Sequence, residues 1–429
     1  MNAPGLALLG GEPVRREPFP SWPIIGEAEI NAVVAVLRRA QISSFSTHAE
    51  GFLGGQEVRA FEEAFAAYHG VAYAVAVNSG TAALHCALAA AGVGPGDEVI
   101  VPPYTFTATA TSVLHHNAVP IFADVEARAF CLDPEAVKRA LTPRTKAIMP
   151  VHLLGHPAEM DELLALAANH NLVVIEDCAQ APGARYKDRL VGTIGAAGAF
   201  SFQQTKNIVS GEGGMVITND GELAERARLI RNHGESVVVG KSRSYVANIV
   251  GWNYRMTEME AALGREQLKH LDEWNAARRR LSRYLSTHLQ ELEGLTVPYE
   301  SPGVEHVYHG YGITVDQVAV EVDKDVIIRA LQAEGIPVSG GYPHPLYKNP
   351  LFQTKLAYGA SGCPFTCPPY EQSVSYPNGL CPVAEELCEW SAIWLFVSRP
   401  PATEADMDDI ILAFRKVWDH REALMGVVI

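Results

Sequence analysis

Two spacings of apolar residues alternate between residues 26 and 232. Short, often β-branched runs, "VAYAVAV" (71–77), "EVIVP" (98–102), "AVPIFADV" (118–125), "TKAIMPV" (145–151) and "LVVIED" (172–177), have the length and composition of buried strands. Between them, "GEAEINAVVAVLRRA", "EVRAFEEAFAAYHG", "TAALHCALAAA", "AEMDELLALAANHN" and "GELAERARLIRNHG" are helix-like. Strands alternating with helices predict βαβ units, and so an α/β fold with a mostly parallel sheet covered on both faces. In such sheets ligands bind beyond the carboxyl ends of the strands. A polar-faced stretch over 257–292 predicts one long helix that bridges to a second unit. The rest mixes a strand at 311–316, a helix at 324–335 and a terminal helix near 403–418, a smaller α+β unit. The expected division is 1–275, a large domain with an N-terminal arm, and 276–429, a small C-terminal domain. Within the latter, 340–382 is rich in Pro, Tyr, Gly and Cys and reads as an ordered loop over a site, with Tyr342 a candidate substrate contact.

Composition narrows the picture. The 429 residues are 48% hydrophobic and 19% charged, a globular balance, and a formal charge of −15 speaks against nucleic acid as a partner. No apolar run approaches the ~18 to 20 residues that span a bilayer, and the first residues do not read as a secretory signal, so no membrane partner and a cytoplasmic location are expected. The seven cysteines are scattered. Cys363, Cys367, Cys381 and Cys388 lack the paired spacing of a structural zinc site, so free thiols and no metal are expected. "HH" at 115–116 reads as structural, and Gly234 in "NHGE" as a helix C-cap.

The strand ends carry the candidate chemistry. After the first run comes "NSGTAAL": Ser79, Gly80 and Thr81 either cap a helix or cradle a phosphate at its N-terminus. After the second comes "PPYTFTATAT", where Tyr104 and Phe106 are either core or a face for a flat ring. After the fifth, Glu176 and Asp177 end a strand too apolar to leave a carboxylate unpaired. In "SFQQTKNIVSGEGG" (201–214), Lys206 sits in a turn between two apolar segments, either at the surface or in a desolvated pocket where its amine becomes a nucleophile for carbonyl groups. A phosphate cup, a stacking ring, a buried acid and a pocket lysine together describe a pyridoxal 5'-phosphate site.

The ordered blocks "NSGTAAL", "YTFTAT", "HLLGHPAEMD", "VIEDCAQAPGA", "FSFQQTK", "GEGG" and "GWNYRMTEMEAAL" resemble the sugar aminotransferases of the DegT/DnrJ/EryC1/StrS type. The resemblance covers about residues 5–275 closely and the last third more loosely. It implies a homodimeric pyridoxal phosphate enzyme of fold type I (aspartate aminotransferase-like). It further implies that Lys206 bonds to the cofactor and moves the proton, Asp177 pairs with the ring nitrogen, Phe106 stacks on the ring and Gln180 lies beside the ring 3-oxygen. Ser79, Gly80, Thr81 and Ser201 match phosphate ligands, and Asn253 matches an asparagine that reaches the phosphate from the partner subunit. Arg255 is a candidate for the donor carboxylate; Lys241, Arg243 and Tyr245 are candidates for lining the acceptor site, in what is otherwise a solvated loop. The opening and closing segments look most like the keto-cyclitol (inosose) branch, so the implied activity moves an amino group from glutamine or glutamate to scyllo-inosose or 2-deoxy-scyllo-inosose, in aminocyclitol antibiotic biosynthesis. The alternatives are a nucleotide-linked keto sugar as acceptor, or a regulatory protein that binds the cofactor without turnover.

Overall fold

The computed structural model describes residues 5–45, 51–235, 246–370 and 374–427. Its strands are β1 (Tyr73–Val77), β2 (Glu98–Val101), β3 (Val119–Phe122), β4 (Thr145–Ile148), β5 (Val173–Asp177), β6 (Arg185–Tyr186), β7 (Arg189–Leu190), β8 (Ala197–Ser201), β9 (Gly214–Thr218), β10 (Leu295–Thr296), β11 (Val304–Glu305), β12 (Tyr311–Val315), β13 (Val338–Ser339) and β14 (Ala392–Leu395). The helices that matter here are α1 (Glu27–Arg39), α2 (Gln56–His69), α3 (Gly80–Ala90), α4 (Ala108–Leu114), α5 (Pro134–Ala140), α6 (Met160–His170), α7 (Gly221–Arg231), α8 (Glu258–Leu268) and α9 (Leu271–Leu289).

The main sheet has seven strands in the order β1-β9-β8-β5-β4-β2-β3. All neighbours from β8 to β3 pair in parallel, and β9 runs against both β8 and β1. Pleating sends successive side chains to opposite faces. In β1, Val75 and Val77 enter one hydrophobic core while Ala74 and Ala76 enter another; in β9, Val216 joins the first and Met215 and Ile217 the second. The sheet is therefore a buried partition between two apolar layers. A second sheet, β10-β12-β14-β13, carries a third core.

The long helix expected over 257–292 is two helices. α8 ends at Leu268 and α9 begins at Leu271, and His270 between them is wound off the ideal helix (φ −100°, ψ −4°). Leu268, at the end of α8, and Leu271 and Trp274, at the start of α9, bury in the same core. Farther along α9, Leu281, Leu285 and Leu289 enter the core of the second sheet, at the four-residue spacing of one helical face.

A second departure concerns the cysteines. Cys363 and Cys367 form a disulfide, whereas Cys86, Cys131, Cys178, Cys381 and Cys388 are free and buried. The two bonded residues lie one turn apart, with Cα atoms 5.2 Å from each other, which is bonding range. Gly234 does take the left-handed conformation (φ 69°), donating to the Leu229 carbonyl at 2.7 Å just past α7.

Candidate active site

β1 ends at Val77 and α3 begins at Gly80, leaving Asn78 and Ser79 as the turn. Ser79 is extended, and its Oγ accepts the Ala82 N–H at 3.1 Å, so it caps α3. The capping reading therefore holds, and the cap leaves the Ser79 hydroxyl proton unused at the positive end of the helix. Gly80 abuts Ser201 at the end of β8: a Cβ at position 80 would lie 2.7 Å from the Ser201 Cβ. Only glycine allows that approach. Ser79, Gly80, Thr81 and Ser201 line one cavity of about 400 Å³.

Adjacent acids at the end of β5 point opposite ways. Glu176 accepts backbone N–H bonds from Gly192 (2.8 Å), Ile194 (2.7 Å) and Gly195 (2.7 Å), and faces His152 Nε2 at 3.0 Å. His152 Nδ1 accepts from Ala158 N–H at 3.0 Å, so its proton is on Nε2 and is donated to Glu176. His152, Glu176 and Cys178 are the group of potential metal ligands among the described residues, but the ring has no free lone pair and the carboxylate is saturated. Asp177 instead lines the cavity and is 4% exposed. It has the Ala179 N–H at 3.1 Å and the Thr109 hydroxyl at 2.9 Å, and no salt bridge among the described residues. Burial pushes its carboxyl up from the usual range, opposed by those two donors and by the charge of Lys206.

The turn between β8 and β9 carries Lys206 into the same cavity. The Trp22 indole N–H holds the Lys206 carbonyl at 3.0 Å, and the Lys206 N–H donates to the Gln203 carbonyl at 2.9 Å. Next to it, Asn207 Nδ2 donates to Asn275 Oδ1 at 2.9 Å and to the Val307 carbonyl at 3.2 Å. The side chain is half-buried and lines the cavity. Burial lowers its amine to about 8, with Asp177 pulling the other way. A fraction of the neutral, nucleophilic form is therefore present near neutral pH.

Phe106 is 62% exposed yet lines the cavity, the posture of a ring that covers something rather than of core. Tyr104, by contrast, is fully buried. Gln180 lines the cavity; its Oε1 accepts the Leu154 N–H at 2.8 Å and its Nε2 donates to the Tyr342 hydroxyl at 3.4 Å. Tyr342 does not itself line the cavity, and the loop that carries it packs on the sheet edge, with Leu346 N–H on the Pro103 carbonyl and Tyr376 on the Pro120 carbonyl. Asn253 is exposed and outside its own chain's cavity, beside Asn78, whose Nδ2 donates to its carbonyl at 3.3 Å. Arg255 Nη1 donates to Asn232 Oδ1 at 3.2 Å. Lys241, Arg243 and Tyr245 lie outside the described residues. His115 and His116 pack against His85 at the end of α4. Residues not anticipated at the site are Trp22, Gln203, Glu212 and the pair Thr105 and Thr109; the alternating threonines of "YTFTATAT" were the available signal for the last two.

A largely parallel sheet that gathers a helix-terminal anion cup, a buried carboxylate and a lysine of lowered pKa into one cavity defines a pyridoxal phosphate enzyme of fold type I. The chain belongs to the DegT/DnrJ/EryC1/StrS aminotransferase family, whose model matches residues 24–380. It is 39% identical over 435 residues to an L-glutamine:2-deoxy-scyllo-inosose aminotransferase of Micromonospora echinospora, covering 98% of this chain and 99% of the relative. It is 37% identical over 403 residues to the spore coat polysaccharide biosynthesis protein SpsC of Bacillus subtilis (strain 168), covering 92% and 96%. An aminotransferase structure from Psychrobacter cryohalolentis superposes with a TM-score of 0.83 at 36% identity, covering 94% of this chain and all of that one. The protein is a pyridoxal phosphate-dependent aminotransferase. Its residues fit that cofactor: the cup suits a phosphate, and the Asp177 carboxylate lacks the cationic donor that a protonated ring nitrogen provides.

Proposed function

We propose that the enzyme transfers an amino group from L-glutamine or L-glutamate to a keto-cyclitol of the scyllo-inosose or 2-deoxy-scyllo-inosose type, in aminocyclitol antibiotic biosynthesis. The chemistry rests on one observation, a lysine of lowered pKa sharing a cavity with the buried Asp177. The acceptor class rests on full-length similarity to inosose aminotransferases. When bound, the cofactor supplies an electron sink for negative charge at the substrate carbon. Lys206 Nζ would hold the cofactor between turnovers and would carry the proton between the substrate carbon and the cofactor carbon on the other side of the shared nitrogen. Asp177 keeps a proton on the ring nitrogen. Phe106 would stack on the ring, Gln180 would lie beside its oxygen, and Ser79, Gly80, Thr81 and Ser201 would hold the phosphate. Arg255 receives the donor carboxylate, and Tyr342, through Gln180, borders the acceptor.

In this reading the enzyme is a cytoplasmic homodimer whose sites are shared, with Asn253 reaching the partner's cofactor. The exposure of Asn253 outside its own cavity supports that. No described helix is long and apolar enough to cross a membrane. The domain division near residue 275 is supported by α9, which gives Leu271 and Trp274 to one core and Leu281 and Leu285 to another. Similarity to DesI, whose solved structure was obtained in the presence of its TDP-sugar product, favours a second acceptor class, a nucleotide-linked keto sugar. One experiment separates them. The enzyme is converted to its amine form with L-glutamine, freed of donor, and mixed with scyllo-inosose, 2-deoxy-scyllo-inosose or a keto nucleotide sugar. Return of the original cofactor absorbance with an inosose supports the reading; return only with the nucleotide sugar overturns it.

A further inference from the structure

We propose that Thr109 is a positioning residue for this reaction, and that Thr105 and Thr109 form a one-way hydroxyl chain that keeps Asp177 ionised. The proposal rests on the role of Asp177 given above. Thr109 Oγ1 lies 2.9 Å from Asp177 Oδ2 and 3.1 Å from Thr105 Oγ1. An ionised carboxylate only accepts, so the single Thr109 proton is committed to it. The contact with Thr105 then requires Thr105 to donate. Donors aligned head to tail polarise one another, and the chain ends on the carboxylate. Both threonines are 1% exposed, so neither hydroxyl is open to bulk water. Thr105 lies in the bend just before α4 and Thr109 in its first turn, and their hydroxyls meet there.

The need for such a chain follows from burial. Desolvation pushes Asp177 toward its protonated, neutral form. The groups facing it are the Ala179 N–H, Thr109, Lys206, His152, Cys178 and Tyr342. His152 has its Nε2 proton committed to Glu176, and Cys178 and Tyr342 are held neutral by burial. Lys206 alternates between bonding the cofactor and carrying a proton, so its charge is not constant through the cycle. Two donors remain fixed, the Ala179 N–H and Thr109, and only Thr109 is a side chain.

The test uses the cofactor-loaded enzyme and two substitutions at one position. Thr109→Val keeps the shape and removes the hydroxyl; Thr109→Ser keeps the hydroxyl. Without the donor, Asp177 holds the ring-nitrogen proton less well, and a ring that has lost positive charge lets the lysine-bound nitrogen keep its own proton to higher pH. Thr109→Val should therefore move the midpoint of the pH-dependent absorbance change upward. It should also slow the single-turnover half-reaction with L-glutamine about tenfold to a hundredfold, with the KM for L-glutamine within about twofold. Thr109→Ser should restore both midpoint and rate, and Thr105→Val should move the midpoint the same way by less. If Thr109→Val does not fold, the Thr105→Val shift carries the test. An unmoved midpoint in the valine variants, or a serine variant no better than valine, overturns the proposal. A wild-type enzyme with no pH-dependent cofactor band at all would instead count against the assignment of Lys206 and Asp177.

Discussion

Glu176 and Asp177 are neighbours on one strand, yet one is tied off by backbone N–H groups and the other is left facing a cavity. The difference is the pleat: consecutive side chains face opposite sides of the sheet, and only one side opens onto the cleft. A single residue also sets how close the phosphate cup comes to β8. Gly80→Ala would put a methyl group 2.7 Å from Ser201 Cβ. Overpacking of that kind costs ~1–3 kcal/mol, so cofactor affinity should weaken by about tenfold or more. Equilibrium dialysis of the variant against pyridoxal phosphate measures this, and affinity equal to wild type would contradict the close approach. Lys206 illustrates the other lever available to one residue, since burial, opposed by the charge of Asp177, brings its amine to about 8.

At the scale of elements, the alternation of apolar runs and helical stretches was legible, because strand and helix periods differ and each element buries its own face. The strand–turn–helix at β1 and α3 and the acid at the end of β5 followed from it. Four features were not legible, each for a physical reason. Strand direction is set by pairing partners, so nothing in "GMVITND" reveals that β9 runs antiparallel to its neighbours. The break between α8 and α9 falls at Lys269 and His270, with no Gly or Pro to signal it. Trp22 and Thr109 act across long sequence separations, on Lys206 and Asp177. The pairing of Cys363 with Cys367 likewise depends on the turn between them, which spacing does not specify. It makes a countable prediction: thiol titration of the denatured, unreduced protein should find the five free cysteines. A count of seven would contradict the bond.

For the whole molecule, the proposed sharing of sites means that two defective chains can repair each other. Asn253→Ala and Lys206→Ala homodimers should each be inactive or strongly impaired. Mixed and allowed to exchange subunits, they should regain activity, because the intact lysine of one chain meets the intact asparagine of the other. No recovery in a mixture shown to contain heterodimers would contradict the shared site. The account as a whole depends on which amine carries the cofactor, and borohydride reduction of the loaded enzyme followed by peptide mass mapping measures that directly. The predicted result is the reduced cofactor mass on the peptide containing Lys206 and on no other lysine. Finding it on a different lysine, or on none, would contradict the account.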